Sequence, residues 1–108
     1  MYRRNKYGNK RTVVDGVSFH SKKEADRYIE LRMLERIGHI EKLELQPRFK
    51  LIVNEKLICT YIADFRYHVP GKKVSGTVIE DVKGHKNPEY KLKKKLFEAL
   101  YSQEIVEI

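Results

Sequence analysis

The chain has 108 residues and a formal net charge of +8, from 23 Lys and Arg against 15 Asp and Glu. That length accommodates one domain with one modest core, which buries roughly 65% of the unfolded surface, and a hydrophobic content of 41% excludes a disordered tail. So large an excess of positive charge on so small a surface points to a polyanion such as nucleic acid.

An anionic membrane is the weaker alternative, because no stretch approaches the roughly 20 apolar residues of a spanning helix. Met1 to Lys6 carries the charge of a signal peptide without the apolar segment that must follow it. The single cysteine, Cys59, excludes an internal disulfide and a multi-cysteine zinc site. A cytoplasmic, basic, single-domain protein is expected.

The first eleven residues hold Arg3, Arg4, Lys6, Lys10 and Arg11 without an acid, and read as a basic arm. A solvated tail and a phosphate-contacting arm fit this pattern equally. Asp15-Gly16, between the short β-prone runs of Thr12 to Phe19, predicts a two-residue hairpin. Ser21-Lys-Lys-Glu24 is a capping box that opens a helix. Ala25, Tyr28, Leu31 and Leu34 recur at helical spacing, and Gly38 supplies the stop.

From Ile40 the period changes to two. Ile40 to Leu45 reads as a strand ending before Gln46-Pro47, and Phe49 to Val53 with Lys56 to Val69 reads as a hairpin across Asn54-Glu55. Pro70-Gly71 marks a turn, and Thr77 to Lys83 is a further strand. Asn87-Pro88 opens a second helix that runs to about Tyr101, with Leu92, Leu96 and Leu100 expected inward. Ile105 to Ile108 reads as a closing strand. The order predicts an α+β domain, a central mixed β-sheet flanked by helices.

Two strands carry acids where strands normally show apolar residues. Ile58, Thr60, Ile62 and Asp64 share one parity, so a carboxylate ends what looks like a core stripe. In Thr77-Val-Ile-Glu-Asp-Val-Lys83, Asp81 and Lys83 fall on the face of Ile79, and Glu80 points away. Two carboxylates brought together repel unless a cation lies between them, and Mg²⁺ suits such hard oxygen ligands. The bland alternative is an edge ion pair of Asp81 with Lys83, with Asp64 capping a turn; a D…DxK pattern recurs by chance.

The order of these elements resembles the PD-(D/E)XK nuclease superfamily, with Asp64 on one strand, Asp81-Val-Lys83 on the next and Glu24 on the first helix. More narrowly, Phe19-His-Ser-Lys-Lys-Glu24-Ala-Asp-Arg27, Leu45-Gln-Pro-Arg-Phe49, Tyr61-Ile-Ala-Asp64-Phe65, Val78-Ile-Glu-Asp-Val-Lys-Gly84 and Tyr90-Lys-Leu-Lys are similar to a small phage and prophage endonuclease family. That family resembles junction-resolving phage endonucleases and end-cleaving nuclease subunits of some transposons. The likeness spans roughly residues 7 to 101.

The resemblance implies a restriction-endonuclease-like core and a Mg²⁺-dependent DNA endonuclease, with Mn²⁺ as a substitute. It casts Asp64 and Asp81 as metal ligands, Lys83 as the catalytic lysine and Glu24 as a helix-borne catalytic acid that joins the metal ligands. Branched DNA such as a four-way junction is the implied substrate, a homodimer follows from paired symmetric cuts, and the host bacterial cytoplasm is the implied location. Ala63 stands where the family carries Pro, and Asp81 where Glu is frequent, one methylene shorter.

Glu24 equally fits a plain helix cap, and Gln46 a turn. Lys91, Lys94 and Lys95 share a stripe of the second helix and, with Lys86 and Lys83 upstream, predict a surface that tracks the DNA backbone. No recognition-helix or RNA-binding signature supports base-specific readout. The alternative class is a non-catalytic basic DNA-binding module.

Overall fold

The computed structural model describes residues 11–71, 76–82 and 87–108. The expected arm with Arg3 and Arg4, and the positions of Lys83 and Lys86, lie outside the described residues. The chain opens with the hairpin β1 (Thr12–Val14) and β2 (Val17–Phe19), turned by Asp15 and Gly16, both at positive φ. Helix α1 (Lys22–Arg36) follows, its Ser21 Oγ accepting from the Glu24 amide at 3.1 Å. Next come β3 (Glu41–Leu45), β4 (Arg48–Val53), β5 (Lys56–Ile62), β6 (Phe65–His68) and β7 (Thr77–Asp81). Helix α2 (Pro88–Tyr101) is capped by the Asn87 side chain on the Tyr90 amide at 2.8 Å, and β8 (Ile105–Glu107) closes the chain.

The fold is α+β. A four-stranded mixed sheet runs β3-β6-β7-β8, antiparallel except for the parallel β7–β8 pair. The β4–β5 hairpin forms a separate two-stranded ribbon. Two apolar clusters sit on α1 and α2. Phe19, Ala25, Tyr28, Leu31, Phe65 and Tyr67 pack with α1, whereas Phe49, Leu51, Tyr61, Ile79 and Ile105 pack with Phe97 of α2. Strand alternation along β7 therefore assigns Val78 and Glu80 to the α1 side, and Ile79 and Asp81 to the α2 side.

Three sequence expectations are corrected. The single strand expected from Lys56 to Val69 divides at Ala63-Asp64. There the Ala63 amide donates to the Pro47 carbonyl at 3.2 Å and the Asp64 amide to the Glu80 carbonyl at 3.1 Å, so the chain leaves the ribbon and enters the main sheet. Gln46, at φ 52°, and Pro47 make the matching bend between β3 and β4.

Second, the core face of β5 is Cys59, Tyr61 and Ala63, while Ile58 and Ile62 are exposed. Both parities of that strand are apolar, and the bulkier aromatic with its polar tip took the interior. Third, Leu92 and Leu100 of α2 face solvent; Tyr90 and Phe97 fill the core, with Leu96 partly buried beside them.

Candidate metal centre and its surroundings

Asp64 sits in the bend just described, immediately before β6. Its Oδ2 accepts from the Val82 amide at 2.6 Å, tying the carboxyl to the C-terminal end of β7. Asp81 closes β7 and interacts directly with Asp64. Asp81, Glu80 and Glu24 are 0%, 1% and 7% exposed, the three buried acids among the described residues.

Burial pushes the Asp64 carboxyl up to about 8, and the hydrogen bond and charge of Asp81, then the charge of Glu24, push in the same direction. Two carboxyls thus share a site that retains a proton near neutral pH. Relief of that repulsion is what a bound cation provides.

The two neighbouring acids of β7 meet opposite environments. Glu80 receives a two-pronged bond from Arg27, Nε to Oε1 at 2.8 Å and Nη2 to Oε2 at 2.6 Å, and a further bond from the Tyr67 hydroxyl. Its charge is matched, and the Arg27 guanidinium is held firmly protonated by that hydrogen bond. Asp81 Oδ2 instead accepts from the neutral Tyr61 hydroxyl. Burial, then the Asp81 hydrogen bond, drives the Tyr61 phenol far above its ordinary range, so it remains a donor.

Glu24 lies in the first turn of α1, close enough for its charge to act on Asp64. Only one half of the expected capping box is present: Ser21 caps the Glu24 amide, while the Glu24 carboxyl accepts no hydrogen bond among the described residues. Its burial beside Asp64 therefore has no capping explanation. Among the described residues, no set of three or more His, Cys, Asp or Glu is gathered at metal-holding distances. The directly interacting acid pair is Asp64 with Asp81, and Glu24 acts on Asp64 through its charge.

Further residues join this centre without a sequence signal strong enough to single them out. In the parallel β7–β8 register Glu107 pairs with Asp81, and the Tyr90 hydroxyl donates to Glu107 Oε2 at 2.8 Å. Tyr61 and Tyr90 also line a cleft of about 250 Å³ with Thr60, Ile62, Asn87 and Lys93. The tyrosine–acid links span 20 and 17 residues, which places them beyond any local pattern.

Lys91, Lys94 and Lys95 line one shallow depression, as their spacing requires, with Glu98 and Glu107 interleaved. Lys94 approaches Glu98 at 3.7 Å. The basic stripe is therefore continuous in position but partly compensated in charge. Gln46 contributes its backbone, donating its amide to the Asp64 carbonyl at 2.9 Å.

Residues 4–107 match the family described as "Protein of unknown function (DUF1064)". The chain belongs to the DUF1064 family. Neither curated proteins nor solved structures match this DUF1064 chain significantly. None of the described helices is long and apolar enough to cross a membrane.

Proposed function

We propose that the chain is a metal-dependent DNA endonuclease with a restriction-endonuclease-like core. The observation that carries this reading is the Asp64–Asp81 contact in a buried site: burial, then the hydrogen bond and charge of Asp81, push the Asp64 carboxyl up to about 8. Structural acids are normally paired with cations, as Glu80 is with Arg27. A carboxyl pair offers hard oxygen donors, which fit Mg²⁺ or Mn²⁺.

Asp64 and Asp81 would hold the ion. Tyr61 fixes the Asp81 carboxylate through Oδ2, as outer partners of metal ligands do. Glu24, buried in the first turn of α1 with its charge acting on Asp64, would add a third carboxylate on the metal's side. Lys83, two positions beyond Asp81, carries the ammonium for the attacking water or the developing charge. Bound Mg²⁺ would polarise the phosphodiester and lower the pKa of a coordinated water. Lys91 and Lys95, exposed beside Glu107, would hold flanking phosphates.

The test is incubation of the purified protein with linear, flap and four-way-junction DNA, with Mg²⁺ or with EDTA. Mg²⁺-dependent cleavage by the wild type and none by Asp81→Asn is expected. Cleavage of no substrate by the wild type, or undiminished cleavage by Asp81→Asn, refutes the proposal. A second reading, a non-catalytic basic DNA-binding module, draws support from the lack of a third metal-holding acid among the described residues. DNA affinity with no metal-dependent stabilisation would establish it instead.

A further inference from the structure

Glu107 belongs to two places at once, the candidate centre and the lysine depression on α2. In the parallel β7–β8 register it pairs with Asp81, so both side chains rise on the α2 side of the sheet. It also lines the depression of about 290 Å³ with Lys91, Lys94, Lys95 and Glu98. The Tyr90 hydroxyl, donating to Glu107 Oε2 at 2.8 Å, pins it there. Burial, then the Glu107 hydrogen bond and the charges of Asp81, Glu107 and Glu98, drive the Tyr90 phenol far above its ordinary range. One neutral hydroxyl thus feels the acids of both places.

The depression is charged in both senses. Three lysines line it with two acids, and the fold holds each acid by a bond that does not involve the lysines. Glu98 Oε2 accepts from the Ile105 amide at 2.9 Å and lies 3.7 Å from Lys94 Nζ. A phosphate entering here meets ammonium groups already offset by carboxylates, and Asp81 adds to the negative potential behind Glu107. The two acids differ in one respect. Glu98 is matched by Lys94, whereas the residue that the register sets beside Glu107 is another acid.

We propose that Glu107 couples phosphate capture in this depression to metal occupancy of the Asp64–Asp81 centre. Without the metal, Glu107 and Asp81 together oppose an arriving phosphate. Positive charge gathered at Asp81 acts on Glu107 across one strand spacing, roughly 5 Å. That is shorter than the Debye length of about 8 Å at physiological ionic strength, so salt screens it little. The field of Glu107 is then offset, and the lysines are left to the phosphate. The inference rests on the proposed metal and DNA reading of the centre and adds its regulation: metal-loaded protein captures DNA more firmly. Linkage makes the effect mutual, so DNA tightens the metal by the same factor.

The experiment measures binding of a labelled linear duplex by fluorescence anisotropy at constant ionic strength, in EDTA and in Ca²⁺, another hard cation for oxygen ligands. A gel confirms that the DNA in each sample is intact. Wild type should bind about tenfold tighter in Ca²⁺, against the bulk effect of a cation that competes for phosphates. Glu107→Gln keeps an oxygen for the Tyr90 hydroxyl. It should bind about two- to fivefold tighter than wild type in EDTA, and its gain in Ca²⁺ should fall to about threefold or less. Glu98→Gln should also bind tighter in EDTA yet keep the wild-type gain. Calorimetry should show the duplex tightening Ca²⁺ binding to wild type more than to Glu107→Gln.

No gain in the wild type, or the same gain in Glu107→Gln, overturns the inference. So does a gain lost equally in Glu98→Gln, which would make it a general effect of surface charge. If Glu107→Gln does not fold, the double variant Lys91→Gln, Lys95→Gln decides: an undiminished gain there overturns the inference. A gain that hinges on Glu107, without Mg²⁺-dependent cleavage of any DNA, would sink the nuclease reading and leave this one standing. Cleavage with a gain indifferent to Glu107 would do the reverse.

Discussion

Asp64→Asn should make the metal-free protein more stable at neutral pH. The substitution keeps a carbonyl oxygen for the Val82 amide, now bonded at 2.6 Å, and removes a carboxyl that must either hold a proton or, once ionised, repel Asp81 and Glu24. Asp64 is held up to about 8 against an ordinary 3.8. The folded chain therefore keeps a proton that the unfolded chain has released, and wild-type stability falls as pH rises from about 4 to about 8. Each pH unit in that window removes at most about 1.4 kcal/mol. The site is half-buried and partly screened, which brings the difference between about pH 5 and pH 7.5 to about 2 kcal/mol. For a domain of this length that is about 8 °C in melting temperature. The assay is thermal denaturation of both proteins across pH in EDTA. The curves should converge near pH 4 to 5 and separate above, and excess Mg²⁺ should raise wild type alone. Parallel curves at every pH would refute a proton-retaining acid pair.

Tyr61→Phe and Tyr67→Phe form a matched test, since each removes one buried hydroxyl donor from one of the two neighbouring acids. Both should lose about 1–3 kcal/mol of stability, but only Tyr61→Phe should weaken Mn²⁺ binding by calorimetry, by about 10- to 100-fold. Glu80→Gln should lose about 3–5 kcal/mol because it strands the Arg27 guanidinium, while its residual folded fraction keeps cleaving DNA. Asp81→Asn should keep its fold and lose orders of magnitude in rate; activity in Asp81→Asn with none in folded Glu80→Gln would exchange the two roles. Neutralising Lys91, Lys94 and Lys95 together should weaken DNA binding and reduce the salt slope by about 3, with unchanged affinity moving the phosphate track elsewhere.

Local signals determined much of the fold. Asp15-Gly16, Ser21, Gly38, Asn54-Glu55 and Asn87-Pro88 each mark a boundary found in the structure, because turn and cap chemistry acts over a few residues. The faces of β5 and α2 were not legible. In β5 both parities are apolar, and in α2 the Leu92–Leu96–Leu100 stripe competes with Tyr90 and Phe97; tertiary packing chose the aromatic stripe. Alternation in β7 did separate Asp81 from Glu80. What fixes Glu80 is Arg27, 53 residues away, and no spacing rule reaches that far. The break at Asp64 was hidden because Ala63 is not itself a turn residue; Pro47, on the neighbouring strand, supplies the carbonyl that turns the chain.

The alternating chemistry of β7 also sets an energetic penalty on a slipped sheet. Val78 and Val82 on one face and Ile79 on the other give the strand no strong apolar preference for its register. A slip of one residue would exchange every side chain between faces. It would move Glu80 toward Asp64, place Asp81 on the α1 side and leave Arg27 without the longer carboxylate it grips at both oxygens. Each error alone exposes a buried charge to the wrong partner, and the slip commits both at once. The adjacent acids thus raise the energy of a misregistered sheet, so the residues of the candidate centre also favour the correct alignment of their own strand.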